Sequence, residues 1–146
     1  MIKGMDNLSA FAPHFTPGDG GGSAARTSGT LAAMQCVACE PDEPRLTDEQ
    51  IEELHAQVTD WKVVSREGIK RLERSFKFKN FREALAFTNQ VGELAEQEQH
   101  HPALLTEYGR VSVSWWTHAV RGLHRNDFIM AARSDELYEH GKARTG

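Results

Sequence analysis

The sequence predicts an α+β domain, a four-stranded antiparallel sheet with helices packed on one face in the order α-β-β-α-β-β-α. Three observations predict it. Two pairs of segments with period-2 alternation, each joined by a short glycine-containing turn, read as β-hairpins. Stretches with apolar residues at helical spacing precede, separate and follow these pairs. No G-x-G-x-x-G or P-loop motif accompanies them, so a parallel βαβ nucleotide-binding architecture is not indicated.

The elements follow in order. Residues 1–33 hold six of the 12 glycines and sustain neither a helical nor a strand period. The segment 1–45 is therefore expected to be a disordered N-terminal extension carrying the C-x-x-C pair Cys36 and Cys39, with Met34 as a candidate start. A domain is expected over 46–140 and a tail over 141–146. Thr47 with Gln50 reads as a capping box, and Ile51, Leu54 and Val58 give a short amphipathic helix over roughly 47–58. Trp61–Val64 and Ile69–Phe78 flank Arg66-Glu67-Gly68, the pattern of a hairpin whose turn needs glycine. Leu72, Phe76 and Phe78 share one parity and Arg71, Glu73 and Lys77 the other, so one sheet face is wet. Asn80 caps the longest helix, in which Phe81, Ala84, Leu85, Thr88, Val91 and Ala95 recur through about Gln99. His100-His101-Pro102 ends it, because proline disfavours α geometry in the residue before it. A second hairpin runs from Ala103–Tyr108 through a Gly109-Arg110 turn into Val111–His118. Val111, Val113 and Trp115 face the core, and Ser112, Ser114, Trp116 and His118 face away. A last helix fits from about Arg125 to Glu139, with Phe128, Ile129, Ala132 and Leu137 inward.

Composition narrows the function classes. The chain has 146 residues, 39% of them hydrophobic, with a mean hydropathy of −0.55, room for one domain and a tail. Net charge is −4 without a long basic run, which argues against a nucleic-acid partner. No stretch reaches the roughly 18 to 20 apolar residues of a membrane span, and no signal peptide is evident, so a cytoplasmic protein is expected. Two cysteines are too few for a disulfide scaffold or a zinc ribbon.

Seven histidines are the unusual count. Three belong to one constellation: Glu96-x-x-x-His100-His101-Pro102, then His118, with Asp127 early in the last helix. The two ends of a hairpin lie side by side, so His100 and His101 before the second hairpin are expected beside His118 after it. Imidazole both gives and takes protons near neutrality, which suits acid/base work. Glu96, one turn before His100, is placed to orient a ring. His124 reads as a cap of the last helix, and His14, His55 and His140 as solvent-facing. Three histidines also suit zinc with an open coordination position. Against that, no H-E-x-x-H spacing is present and adjacent side chains such as His100 and His101 diverge, so no metal is expected. The C-x-x-C lacks the βαβ context of a redox motif.

Phe76-Lys77-Phe78-Lys79-Asn80-Phe81, the E-x-x-x-H-H-P stretch, Trp116-Thr117-His118 and Gly122-Leu123-x-x-x-Asp127 together resemble the pterin-4a-carbinolamine dehydratase family over about 46–140. The closest likeness is to its bacterial, phenylalanine-hydroxylase-associated branch, which shares the Gly122–Phe128 stretch and an N-terminal C-x-x-C. The resemblance implies dehydration of 4a-hydroxytetrahydropterin to quinonoid dihydropterin, recycling tetrahydropterin for an aromatic amino acid hydroxylase, with no metal or organic cofactor. It implies a homodimer or homotetramer. The implied catalytic set is His100, His101, His118 and Glu96, with His100 and His118 as the acid/base pair and His101 positioning the ring. The implied pterin contacts are Gln99, His100, His101, Trp116, Thr117, His118, Ala119 and Asp127. Gln99 and Ala119 stand where animal members usually carry acidic residues, and Leu104 replaces a frequent tryptophan. The animal branch also serves as a dimerisation cofactor for a transcription factor, so a protein-binding module is the alternative. A core of ~95 residues is too small to enclose a cleft, which predicts a shallow site on the open sheet face.

Overall fold

The computed structural model describes residues 31–37 and 44–145. Within 44–145 the elements are α1 (Asp48–His55), β1 (Lys62–Arg66), β2 (Ile69–Lys77), α2 (Phe81–Glu98), β3 (Ala103–Glu107), β4 (Arg110–Trp115) and α3 (Arg125–Thr145). The strands form one antiparallel sheet in the order β1-β2-β4-β3, the α+β architecture expected.

Local chemistry sets most of the boundaries. The Thr47 hydroxyl accepts from the Gln50 N–H while the Gln50 side chain accepts from the Thr47 N–H, a reciprocal cap on α1. Asn80 caps α2 through the Glu83 N–H at 2.9 Å. Between β1 and β2, Arg66 pairs with Ile69 and leaves Glu67 (φ 55°) and Gly68 (φ 79°) in the left-handed turn that matches strand twist. The second turn differs from expectation by one residue. Glu107 pairs with Arg110, so the turn is Tyr108-Gly109. Gly109 is required there by close approach: the Phe78 N–H donates to its carbonyl at 2.9 Å, and a Cβ would meet the Phe78 carbonyl oxygen at 3.0 Å. Gly109→Ala is expected to cost about 1 kcal/mol or more, read as a lower urea midpoint, because the obstructing atom is backbone.

The two sheet faces divide as the alternation predicts. Leu72, Phe76, Val111, Val113 and Trp115 are buried beneath the helices with Ala84, Phe87, Val91, Phe128 and Ile129. Each of the larger side chains among these contributes about 1.5–3 kcal/mol by leaving water. Ring contacts of Phe76 with Phe87 (4.7 Å) and Tyr138 (4.8 Å) tie β2 to both long helices. Arg74, on the inner face at the margin, is met by Asp135 at 2.6 Å, and Trp61 Nε1–H donates to the same carboxylate at 2.8 Å. Burial pushes the Asp135 carboxyl above its ordinary range in spite of both donors. The wet face is polar: the Ser75 and Ser112 hydroxyls pair at 3.0 Å, and Glu73 accepts from Arg66 and Ser114. Arg66, first of all, holds the Glu73 carboxyl below the usual carboxylate range.

Three further differences bear on the site. β4 stops at Trp115 rather than running to His118, and Thr117 instead forms an isolated bridge with Gly122 that closes a turn over 118–121. The last helix continues past Glu139 to Thr145. Of the segment expected as a disordered extension, residues 31–37 pack on the domain, with Leu31 1% exposed in the core, and residues 1–30 and 38–43, Cys39 among them, lie outside the described residues. His55 is half-buried with Nε2–H donating to the Trp61 carbonyl, whereas His140 is exposed.

Candidate active site

Three chain segments converge at the end of the sheet where α2 finishes. The first is the helix terminus itself. Gln99 adopts the left-handed conformation (φ 55°), and the His100 N–H folds back onto the Ala95 carbonyl at 3.1 Å. This reversal, one residue ahead of the expected breaker, ends α2 at Glu98. A non-glycine residue held this way costs on the order of 1 kcal/mol, and such conformations cluster where a site needs them. The second is the turn beyond β4, where Arg121 is also left-handed (φ 53°). Register explains why the two meet: Ala103 pairs with Ser114, so the chain entering β3 lies beside the chain leaving β4. The third is the start of α3.

Asp127 joins all three. It is fully buried and receives three donors: His100 Nε2–H at 2.7 Å on Oδ1, and the Thr117 hydroxyl at 2.8 Å and the His124 N–H at 2.9 Å on Oδ2. His124 Nδ1 in turn accepts from the Asn126 N–H at 3.0 Å, so His124 caps α3 as its position predicts. A helix N-terminus favours a negative charge, and three donors on one carboxylate satisfy it without water. The consequence for His100 is a defined tautomer: its proton sits on Nε2, and Nδ1 is the nitrogen left over. The His100 ring is further fixed by stacking on Trp115, 5.7 Å between centroids and 9° between planes.

His101 and His118 are held more loosely. His101, half-exposed, donates from Nε2 to Glu96 at 2.7 Å. His118 is exposed and packs on the Trp116 indole at 4.7 Å, while the Arg71 guanidinium lies 3.9 Å over the same indole.

A hollow of about 630 Å³ opens between these segments, lined by Gln99, His100, His101, Thr117, His118 and Ala119 together with Cys36, Val37, Glu98 and Asn126. Six of the residues expected to contact a ligand are thus brought together. Three others stand behind them: Trp116 supports His118, Glu96 supports His101, and the buried Asp127 supports His100 and Thr117 without reaching the hollow. Leu104 packs against the core. The hollow lies at the end of the sheet, not on its open face, and none of Glu73, Ser75 or Ser112 lines it. Among the described residues, no three histidine, cysteine, aspartate or glutamate side chains gather in an arrangement able to hold a metal ion.

Four lining residues escaped sequence reasoning. Glu98 and Asn126 lie inside motifs already singled out, but their side chains bind the backbone of a segment 62 and 89 residues away, and no local spacing encodes that. Cys36 and Val37 belong to the segment read as an extension.

The chain is similar to several known proteins. A family model described as Pterin 4 alpha carbinolamine dehydratase matches residues 44–137. A Nitrosococcus oceani protein named as a candidate pterin-4-alpha-carbinolamine dehydratase is 56% identical over 110 residues, 75% of this chain and 97% of that one. A Gloeobacter violaceus protein with the same designation is 59% identical over 107 residues, 73% of this chain and 92% of that one. A crystal structure titled as a transcriptional coactivator/pterin dehydratase from Brucella melitensis superposes with a TM-score of 0.59 at 33% identity, covering 64% of this chain and 98% of that one. Among the described residues no helix is long and apolar enough to cross a membrane.

Proposed function

The chain belongs to the pterin 4 alpha carbinolamine dehydratase family, and from that premise we propose that its hollow dehydrates 4a-hydroxytetrahydropterin to quinonoid dihydropterin by histidine acid/base catalysis. The observation that carries this reading is that His100, bound by the buried Asp127, lines the same hollow as His118. Loss of water breaks the C4a–O bond, forms a C4a–N5 double bond and releases the N5 proton. The poor leaving hydroxyl therefore needs an acid and N5 needs a base. Because Asp127 fixes the His100 proton on Nε2, neutral His100 offers Nδ1 as the base, and Asp127 stabilises the imidazolium that results, the division of labour of an aspartate–histidine dyad. His118, at the exposed side, protonates the leaving hydroxyl, which departs as water toward solvent. His101, tethered by Glu96, positions the ring with Gln99, Thr117 and Ala119. No step requires a metal, an organic cofactor or a covalent intermediate.

In the cell this reaction recycles tetrahydropterin for an aromatic amino acid hydroxylase. The test supplies carbinolamine in situ from phenylalanine hydroxylase and follows quinonoid dihydropterin with and without the protein across pH 6–8. Acceleration is the expected result, and its absence across that range contradicts the reading.

A second reading, binding to a partner protein through α2, is favoured by Phe81 and Leu85, one turn apart and 44% and 43% exposed, and by the description of the Brucella melitensis protein as a transcriptional coactivator. The same surface suits a homodimer or homotetramer. Phe81→Glu with Leu85→Glu is expected to lower the mass seen by light scattering while leaving the helical circular-dichroism signal intact. An unchanged mass places the interface elsewhere.

A further inference from the structure

We propose that Cys36 and Val37 form a strap that positions the substrate, closing the hollow opposite the His118–Ala119 turn, and that Asn126 and Glu98 are the residues that hold it; this rests on the pterin reading above. The strap precedes residues 44–137, the stretch that the family model matches.

The attachment is specific. The buried Asn126 amide pairs with both polar groups of one peptide residue: Oδ1 accepts from the Val37 N–H at 3.1 Å and Nδ2–H donates to the Val37 carbonyl at 2.7 Å. This reproduces, with a side chain, the two bonds that a neighbouring strand would supply. One residue earlier, the Cys36 N–H donates to Glu98 Oε1 at 2.9 Å, and Glu98 Oε2 is held by Arg133 at 2.8 Å. Upstream, Leu31 is anchored in the core. The backbone of the strap is thus fixed at both residues; the Cys36 thiol lies 3.9 Å from the Asn126 carbonyl, and the Val37 side chain lines the hollow.

The chemistry of the wall indicates its task. Every other lining residue except Ala119 presents polar groups: Gln99, His100, His101, Thr117, His118, Glu98 and Asn126. A reduced pterin has a hydrogen-bonding rim and apolar ring faces. Polar groups serve the rim, and a face needs apolar cover. Val37 supplies it: its side chain lines the hollow and, 62% exposed, is accessible to a ring seated there. Over the part of the ring away from C4a and N5, where the bonding changes, such a contact is much the same in ground and transition states. Removing it therefore raises KM and spares kcat.

The experiment uses the full-length chain with Val37→Asp, Asn126→Ala and Asn126→Asp, measured for carbinolamine dehydration and for binding of 7,8-dihydropterin by tryptophan fluorescence. Val37→Asp alters an exposed side chain and keeps the fold. Asn126→Asp keeps the acceptor for the Val37 N–H and loses the donor to its carbonyl. Expected are a KM and a dihydropterin Kd raised about tenfold in Val37→Asp and Asn126→Ala, less in Asn126→Asp, with kcat within about twofold of wild type. Wild-type KM and Kd in both Val37→Asp and Asn126→Ala overturn the proposal, as does a kcat that falls at constant KM. If wild type binds dihydropterin without accelerating dehydration, the reaction assigned above fails, and weaker binding by the variants still supports the strap. If wild type neither binds nor reacts, the pterin reading and the strap fall together.

Discussion

Asp127→Ala is expected to destabilise the protein by about 3–5 kcal/mol, because it removes at once the acceptor of the His100 Nε2–H, the Thr117 hydroxyl and the His124 N–H. A urea or thermal midpoint measures it. Asp127→Asn separates structure from chemistry. The amide fills the same space, but one of its two ends is a donor and must confront either His100 Nε2–H or the pair from Thr117 and His124. The fold persists at reduced stability, while the His100 tautomer is no longer imposed. A fall in kcat of about 10²-fold or more is expected, with KM changed far less. Asp127→Asn with wild-type kcat would remove Asp127 from the account of catalysis and leave it as a capping residue.

The second large effect belongs to the histidines. His100→Ala and His118→Ala are each expected to lower kcat by about 10²–10⁴-fold, the usual worth of a positioned acid or base. Both serve one step, so the double variant is expected to fall little further than the worse single one, a non-additivity that independent sites do not show. His101→Ala, by contrast, is expected to act mainly on KM, since its ring is half-exposed and tethered to the exposed Glu96. His118→Ala is the more telling of the catalytic pair. His118 is exposed and lies in a turn, so its loss costs the fold little, whereas His100 stacks on the core residue Trp115.

Much of this arrangement is legible in the sequence, for physical reasons that differ from element to element. The inward sets Leu72 with Phe76 and Val111 with Val113 and Trp115 repeat every second residue because one sheet face is dry, so hairpins and faces could be read directly. The juxtaposition of His100 with His118 followed from hairpin geometry alone. What slipped are features set by long-range contacts. The second turn starts at Tyr108 because Gly109 must admit the Phe78 backbone, a contact from the residue just beyond β2. β4 ends at Trp115, and the Thr117 hydroxyl is bound by Asp127, ten residues further on, where the strand alternation gives no notice of it. The stop of α2 at Glu98 depends on a left-handed Gln99, a conformation for which glutamine carries no signature. Residues 31–37 are mostly apolar but follow a glycine-rich run and are too few to show a period, and the side chains of Glu98 and Asn126 and a buried Leu31 reveal that they belong to the site.

The most direct test is rapid-mixing kinetics of carbinolamine dehydration by wild type beside His118→Ala, on samples matched for circular dichroism and melting temperature. Wild type is predicted to remove the carbinolamine well above the spontaneous rate, and His118→Ala to approach the spontaneous rate while remaining folded. A folded His118→Ala protein that turns over at the wild-type rate would contradict the central claim that this histidine hollow performs the chemistry.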